Sequence, residues 1–209
     1  MVHAHKRAAA MLLTVAALGW ATASAADGNR APENHQPCPV TPYDGATSMD
    51  DEFGYGAQAI TRCLQVRRHA KVVVSVDHAF FYNAFGQVQT NRATFLSNIE
   101  HMVRNYENVH GMTIGKDVEV AVVFSESGAL LAATQHPAFA QASGGNPANP
   151  FVHLVEYGLQ KGFRFYLCQT AARNLGIDMQ KKIEGVRFVP GGHIAVADFQ
   201  LQGYALIQP

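Results

Sequence analysis

Lys71-Val-Val-Val-Ser-Val-Asp77 is a run of β-branched residues closed by a carboxylate. Such a run is too short for a helix and too apolar for a half-exposed strand, so it reads as a strand buried on both faces. Val118-Glu-Val-Ala-Val-Val-Phe124 repeats the pattern, and Phe163-Arg-Phe-Tyr-Leu167 gives a third strand. Shorter runs at Val186-Arg-Phe-Val189 and Tyr204-Ala-Leu-Ile207 give a fourth and a fifth.

Between these strands the apolar spacing changes from two to three and four. Residues 92–106 read as a helix capped by Thr90 or Asn91. Its inward stripe is Phe95, Ile99, Met102, Val103 and Tyr106. Residues 151–161 read as a helix with Val152, Val155 and Leu159 inward, broken by Gly162. Residues 169–175 form a short helix that Gly176 stops, and residues 192–202 one that Gly203 stops. Residues 128–133 read as a short helical turn. Residues 135–150, with three prolines and two glycines, read as a long loop. Phe80, Phe81, Tyr82 and Phe85 form an aromatic cluster in the loop after the first strand, suited to a pocket or an oligomer contact. Alternation of strands and helices implies right-handed crossovers, and so an α/β fold with a mainly parallel five-stranded sheet and helices on both faces. Sites in such sheets lie at the carboxyl ends of the strands.

Outward from this domain, the N-terminus has a different character. Lys6 and Arg7 precede an apolar run at residues 8–18, and Ala23-Ser24-Ala25 offers a small-x-small cleavage site. These are the parts of a secretory signal peptide over residues 1–25, and the run is short for a membrane span. The expectation is a protein exported to the periplasm or secreted, with no membrane span once the signal is cleaved. Residues 26–70 read as an irregular arm rich in Pro, Asn, Asp and Gly. Within it Ala57, Ile60 and Leu64 permit a short helix. The domain then occupies residues 71–209.

Cleavage after Ala25 takes two bases from a chain with 16 basic and 16 acidic residues, leaving a net charge of −2. That near-neutrality gives no footprint for nucleic acid or an anionic membrane surface. Eight histidines follow the signal: His35, His69, His78, His101, His110, His136, His153 and His193. No pair of them has metal-site spacing, so no metal is expected. There is no G-x-S-x-G elbow and no CxxC motif. The three cysteines, Cys38, Cys63 and Cys168, allow three pairings in an oxidising compartment. Cys38 and Cys63 share the least regular part of the chain, where a staple helps most. They are the favoured disulfide, with Cys168 left as a free thiol or a small buried hydrophobe.

Cys168 follows a buried strand and opens a helix. A helix N-terminus presents unpaired N–H groups and partial positive charge, which favour a thiolate. Around this thiol the expected supporting residues are Arg173, further along the helix, and His193, a proton acceptor in the first turn of the last helix. Asp77, His78 and Ser125 are expected on the same rim. Ser125-Glu-Ser-Gly128 has backbone groups that can hold an anion, although an ordinary polar turn has the same composition.

Several of these segments together carry a resemblance. They are Lys71–Asp77, Phe95-Leu-Ser-Asn-Ile-Glu100, and Phe163-Arg-Phe-Tyr-Leu-Cys-Gln169 with Leu175-Gly176-Ile177. The last two are Gly185-Val-Arg-Phe-Val-Pro-Gly191 and Gln202-Gly-Tyr-Ala205. In this order before a chain end they resemble the DsrE/DsrF-like family, in particular its exported single-domain members. The resemblance implies a five-stranded α/β domain that tends to assemble as trimers or hexamers; no cofactor is expected. In the family's sulfur-relay members a cysteine accepts a sulfane sulfur as a persulfide and passes it to a partner's thiol. The resemblance makes Cys168 that residue, and implies a sulfur donor or acceptor protein as partner. A second expectation from another class is a non-catalytic oligomeric module that binds a small ligand or partner protein at the strand ends.

Overall fold

The computed structural model describes residues 69–209. The signal sequence, the arm up to residue 68, the short helix expected there and the Cys38–Cys63 pairing lie outside the described residues. Among the described residues no helix is long and apolar enough to cross a membrane.

Five strands form one parallel sheet: β1 (Ala70–Val76), β4 (Val118–Phe124), β5 (Arg164–Cys168), β6 (Arg187–Val189) and β7 (Ala205–Ile207), in the order β6-β5-β4-β1-β7. Strands β1 and β4 coincide with the β-branched runs because those residues bury completely. Val73, Val74, Val76, Val118, Val120, Val122 and Phe124 have no exposed surface. The helices are α1 (Ile99–Arg104), α2 (Pro137–Ser143), α3 (Val152–Gln160), α4 (Gln169–Asn174) and α5 (Gly192–Leu201). Gly162, Gly176 and Gly203 end α3, α4 and α5 at positive φ, as the sequence predicts.

Strand order decides how the helices are shared between the faces. From β1 through β4 and β5 to β6 the chain steps one strand at a time in one direction. Right-handed crossovers therefore place the first four helices on one face. The step from β6 to β7 returns to the far side of β1, so its crossover, α5, lies on the other face. The two cores follow this division. The larger joins Val72, Val74, Val122, Phe124 and Leu167 to Leu96, Ile99, Val103, Leu131 and Val155. A row of aromatic rings runs through it, with Phe95 on Phe163, Phe163 on Phe165, and Phe165 on Phe124. The smaller core holds Val73, Ala121, Val123, Val196 and Tyr204, with Phe199 packed on Tyr166 and Tyr204.

Two segments differ from expectation. The helix expected from residue 92 begins later, because residues 80–93 form an antiparallel hairpin of β2 (Phe80–Tyr82) and β3 (Val88–Ala93). The aromatic cluster is therefore one arm of the hairpin and its turn. Asn83 builds that turn by accepting from the backbone N–H groups of Phe85 and Gln87, and Gly86 supplies a φ of 72°. The expected inward stripe survives, since Phe95, Ile99, Val103 and Tyr106 are buried, but Phe95 precedes the helix and Thr90 and Asn91 lie in β3. Within residues 135–150, a stretch read as loop, Pro137 opens α2 and His136 caps it, its Nδ1 accepting from the N–H of Ala138 at 3.1 Å. Pro at the first helical position is compatible with a helix, so the proline did not exclude one.

At the amino ends of the strands on the α5 face, Glu119 Oε2 accepts from Arg164 at 2.6 Å and from the Tyr204 hydroxyl at 2.5 Å. The Tyr204 hydrogen bond is the main reason the Glu119 carboxyl lies below its ordinary 4.5, with the Arg164 and Lys71 charges adding to it. A depressed carboxyl stabilises the fold above its unfolded value, and that stabilisation is lost as the pH falls through the folded one. Melting temperature measured from pH 6 to pH 3 is therefore expected to fall further in the wild type than in Tyr204→Phe. Parallel curves would show that the network does not tie this carboxylate to stability.

Candidate functional site at the carboxyl ends of the strands

The strand registers align three polar side chains. Val76 pairs with Phe124, Phe124 with Leu167, and Cys168 with Val189. The next residues along β1 and β4, Asp77 and Ser125, therefore stand in one row with Cys168. By the alternation of strand residues Asp77 and Ser125 belong to the face that α5 covers, whereas Cys168, where β5 passes into α4, packs with the larger core. Ser125 is buried and donates to Asp77 Oδ1 at 2.6 Å, and Ser75 donates to the same oxygen at 3.0 Å.

Cys168 is a free, buried thiol, 5 % exposed. It is the N-cap of α4, with extended backbone (φ −64°, ψ 117°), and its Sγ accepts from the N–H of Ala171 at 3.4 Å. Sulfur thus takes the place of the hydroxyl or carboxylate oxygen that usually occupies an N-cap. The first turn of α5 packs against the same spot. A Cβ on Gly192 would lie 2.5 Å from Ser125 Cβ and 3.5 Å from Cys168 Cβ, so only glycine allows this approach. The chain leaving β5 turns to one face and the chain leaving β6 to the other. A crevice at the carboxyl ends of these neighbouring strands is where α/β sheets place their ligands.

The loop after β4 is pinned from both sides of Glu126. Ahead of it, the Ser125 N–H donates to Val76 O at 3.0 Å. Behind it, the Ser127 hydroxyl and the Gly128 N–H both donate to Asp77 O, at 3.3 Å and 3.1 Å. Glu126 between these anchors has a φ of 43°. Its Oε1 lies 3.5 Å from His193 Nε2, and both side chains are largely exposed.

Asp77, Ser125 and Cys168 are thus together, and His193 follows Gly192 at the start of α5 with its ring turned to Glu126. His78, next to Asp77, is exposed and meets Tyr82 edge-on at 5.8 Å. Arg173 is exposed in the last turn of α4, whereas Cys168 caps the first, so the helix separates them. Sequence reasoning passed over Glu126 and Gly192. The pair Gly191-Gly192 just ahead of a helix is a signal of close approach for the second, but nothing local marks Glu126.

The model of the DsrE/DsrF-like family matches residues 80–209. Among curated proteins no match is found. Among solved structures, a protein of unknown function, MTH1491, from Methanobacterium thermoautotrophicum is similar at 20 % identity. That match covers 67 % of this chain and 99 % of that one, with a TM-score of 0.48. The ychN protein from E. coli is similar at 13 % identity over 66 % of this chain and 99 % of its own, with a TM-score of 0.41.

Proposed function

Because the chain belongs to the DsrE/DsrF-like family, we propose that it is an exported sulfur carrier or sulfurtransferase that works through a persulfide on Cys168. The observation that carries this reading is the placement of the Cys168 Sγ at the N-terminus of α4, where the Ala171 N–H already points at it. Donors so placed stabilise negative charge on sulfur, the form that attacks. The Cys168 thiolate attacks the outer sulfur of a donor persulfide. An S–S bond to Sγ forms, the donor's own S–S bond breaks, and the donor leaves as a thiolate. A second thiol then takes the outer sulfur and returns Cys168 to its starting state, with no net oxidation.

In this reading residues 1–25 direct export and residues 26–70 are an arm ahead of the domain. The chain assembles as a trimer or hexamer and meets a sulfur donor or acceptor protein. Exposed apolar side chains support an assembly: Phe85 at the hairpin turn is 88 % exposed, and Ile194 and Leu201 on α5 are 76 % and 89 % exposed. Asp77 and Ser125 hold the rim, and His78 borders it. His193 is the proton-accepting group, and Arg173 contributes charge at the distal end of α4.

The burial of Cys168 favours a second reading, a non-catalytic oligomeric module that binds a small ligand or partner protein at the strand ends. One experiment separates the two. The folded, reduced protein is incubated with a small-molecule persulfide and its peptides are analysed by mass spectrometry. The carrier gains one sulfur atom on the peptide that holds Cys168, and in Cys168→Ser that peptide gains none. A native protein that takes up no sulfur, while the unfolded one does, leaves the binding module in its place.

A further inference from the structure

Among the described residues two non-glycine residues have positive φ, Phe95 and Glu126. At Phe95 packing accounts for it: the ring is buried and lies against Phe163. At Glu126 packing offers no such return, because the side chain is largely exposed and the contact it makes is with His193. Strained backbone persists where its surroundings over-determine it. Here the hydrogen bonds of Ser125 to Val76 and Asp77, and of Ser127 and Gly128 to Asp77, do so. A glycine would fit this backbone without strain. The loop instead carries a carboxylate and aims it at an imidazole on the first turn of α5, beside the helix start that touches Ser125 and Cys168.

We propose that Glu126 is a positioning residue that holds His193 to take the proton of the acceptor thiol during sulfur release. The inference rests on the persulfide reading of Cys168. His193 turns Nε2 toward Glu126, which leaves Nδ1, the other ring nitrogen, for the proton. The acceptor R–SH gives its proton to Nδ1, and its thiolate attacks the outer sulfur of the Cys168 persulfide. The R–S–S bond forms, the bond to Sγ breaks, and Cys168 leaves as a thiolate. The Glu126 carboxylate balances the imidazolium, and no oxidant or reductant is required.

The test has two stages on the mature protein. Cys168 is first loaded with a small-molecule persulfide, and loading is confirmed by mass spectrometry. Sulfur release to free cysteine is then followed in single turnover over a range of cysteine concentrations. His193→Ala is expected to slow the saturated rate by about 100-fold, at the lower end of general-base effects, and Glu126→Gln by about 10-fold, the scale of losing a group that orients a histidine. The half-saturating cysteine concentration stays unchanged. Glu126→Asp recovers part of the rate. Glu126→Gly is as slow as Glu126→Gln yet melts no lower than the wild type, because the strain at φ 43° is relieved. Variants that load fully and release at the wild-type rate overturn the inference while leaving the persulfide reading intact. A wild-type protein that fails to load overturns both. A Glu126→Gly variant that melts higher and releases sulfur normally shows that the carboxylate serves no step.

Discussion

Gly128→Ala is expected to destabilise the protein by at least about 3 kcal/mol, at the upper end of what overpacking costs. The cause is space, not backbone conformation. A Cβ at Gly128 would stand 2.0 Å from the carbonyl oxygen of Val76, 2.8 Å from its carbonyl carbon and 3.2 Å from its Cγ1. Flexible side chains can yield to such a contact, but here the obstacle is the backbone of β1, held between β4 and β7. Moving the loop instead would break the Gly128 N–H bond to Asp77 O and displace Ser125 from Asp77 Oδ1. The substitution therefore strikes the fold and the row of site residues together. Urea unfolding of wild type and variant measures the difference. A loss below about 1 kcal/mol would mean that the loop can lift from β1 at little cost.

Asn149→Ala is expected to cost about 3 kcal/mol, for a different reason. Asn149 is buried, and its side chain satisfies three backbone groups. Nδ2 donates to Leu131 O at 3.1 Å and Ala133 O at 2.7 Å, and Oδ1 accepts from the Phe151 N–H at 2.9 Å. Alanine would leave two carbonyls and one N–H without these partners, each carrying a desolvation penalty of about 1–3 kcal/mol that neighbouring groups partly share. Asn149→Asp removes both donors and sets a carboxylate against two carbonyls, so it is expected to be no milder. The bonds tie the segment after β4 to the start of α3, which links the region of Ser125 and Gly128 to the main core. Unfolding free energies of the two variants check this. An alanine variant within about 1 kcal/mol of wild type would show that water replaces the amide.

Much of the fold was legible in the amino-acid order, and the reasons are local. Residues 118–124 form a strand because every second valine finds a core on each face, so the run needs no polar alternation. Val152–Gln160 form a helix with Gly162 at φ 95° behind it, because glycine alone takes that conformation without strain. The strand–Cys168–helix junction could be read in the same way, and the structure does place the cysteine as the N-cap. The hairpin at residues 80–93 was less legible. Phe95, Ile99, Val103 and Tyr106 follow a helical spacing that extends past the helix itself, and the hairpin turn ahead of them is built by side-chain hydrogen bonds to Asn83, which apolar spacing does not show.

What the sequence determined by itself is the set of elements, their alternation and the residue types at the strand ends, because backbone propensity and burial pattern act over a few neighbours. Tertiary structure alone decided which of those ends meet. Asp77 and Ser125 are 48 residues apart and share one hydrogen bond because β1 and β4 pair in a single register. Glu126 faces His193 only because the return from β6 to β7 carries α5 to the opposite face of the sheet and sets its first turn against Ser125 and Cys168. No local preference encodes that meeting. It follows from strand order and crossover handedness, which are properties of the assembled sheet.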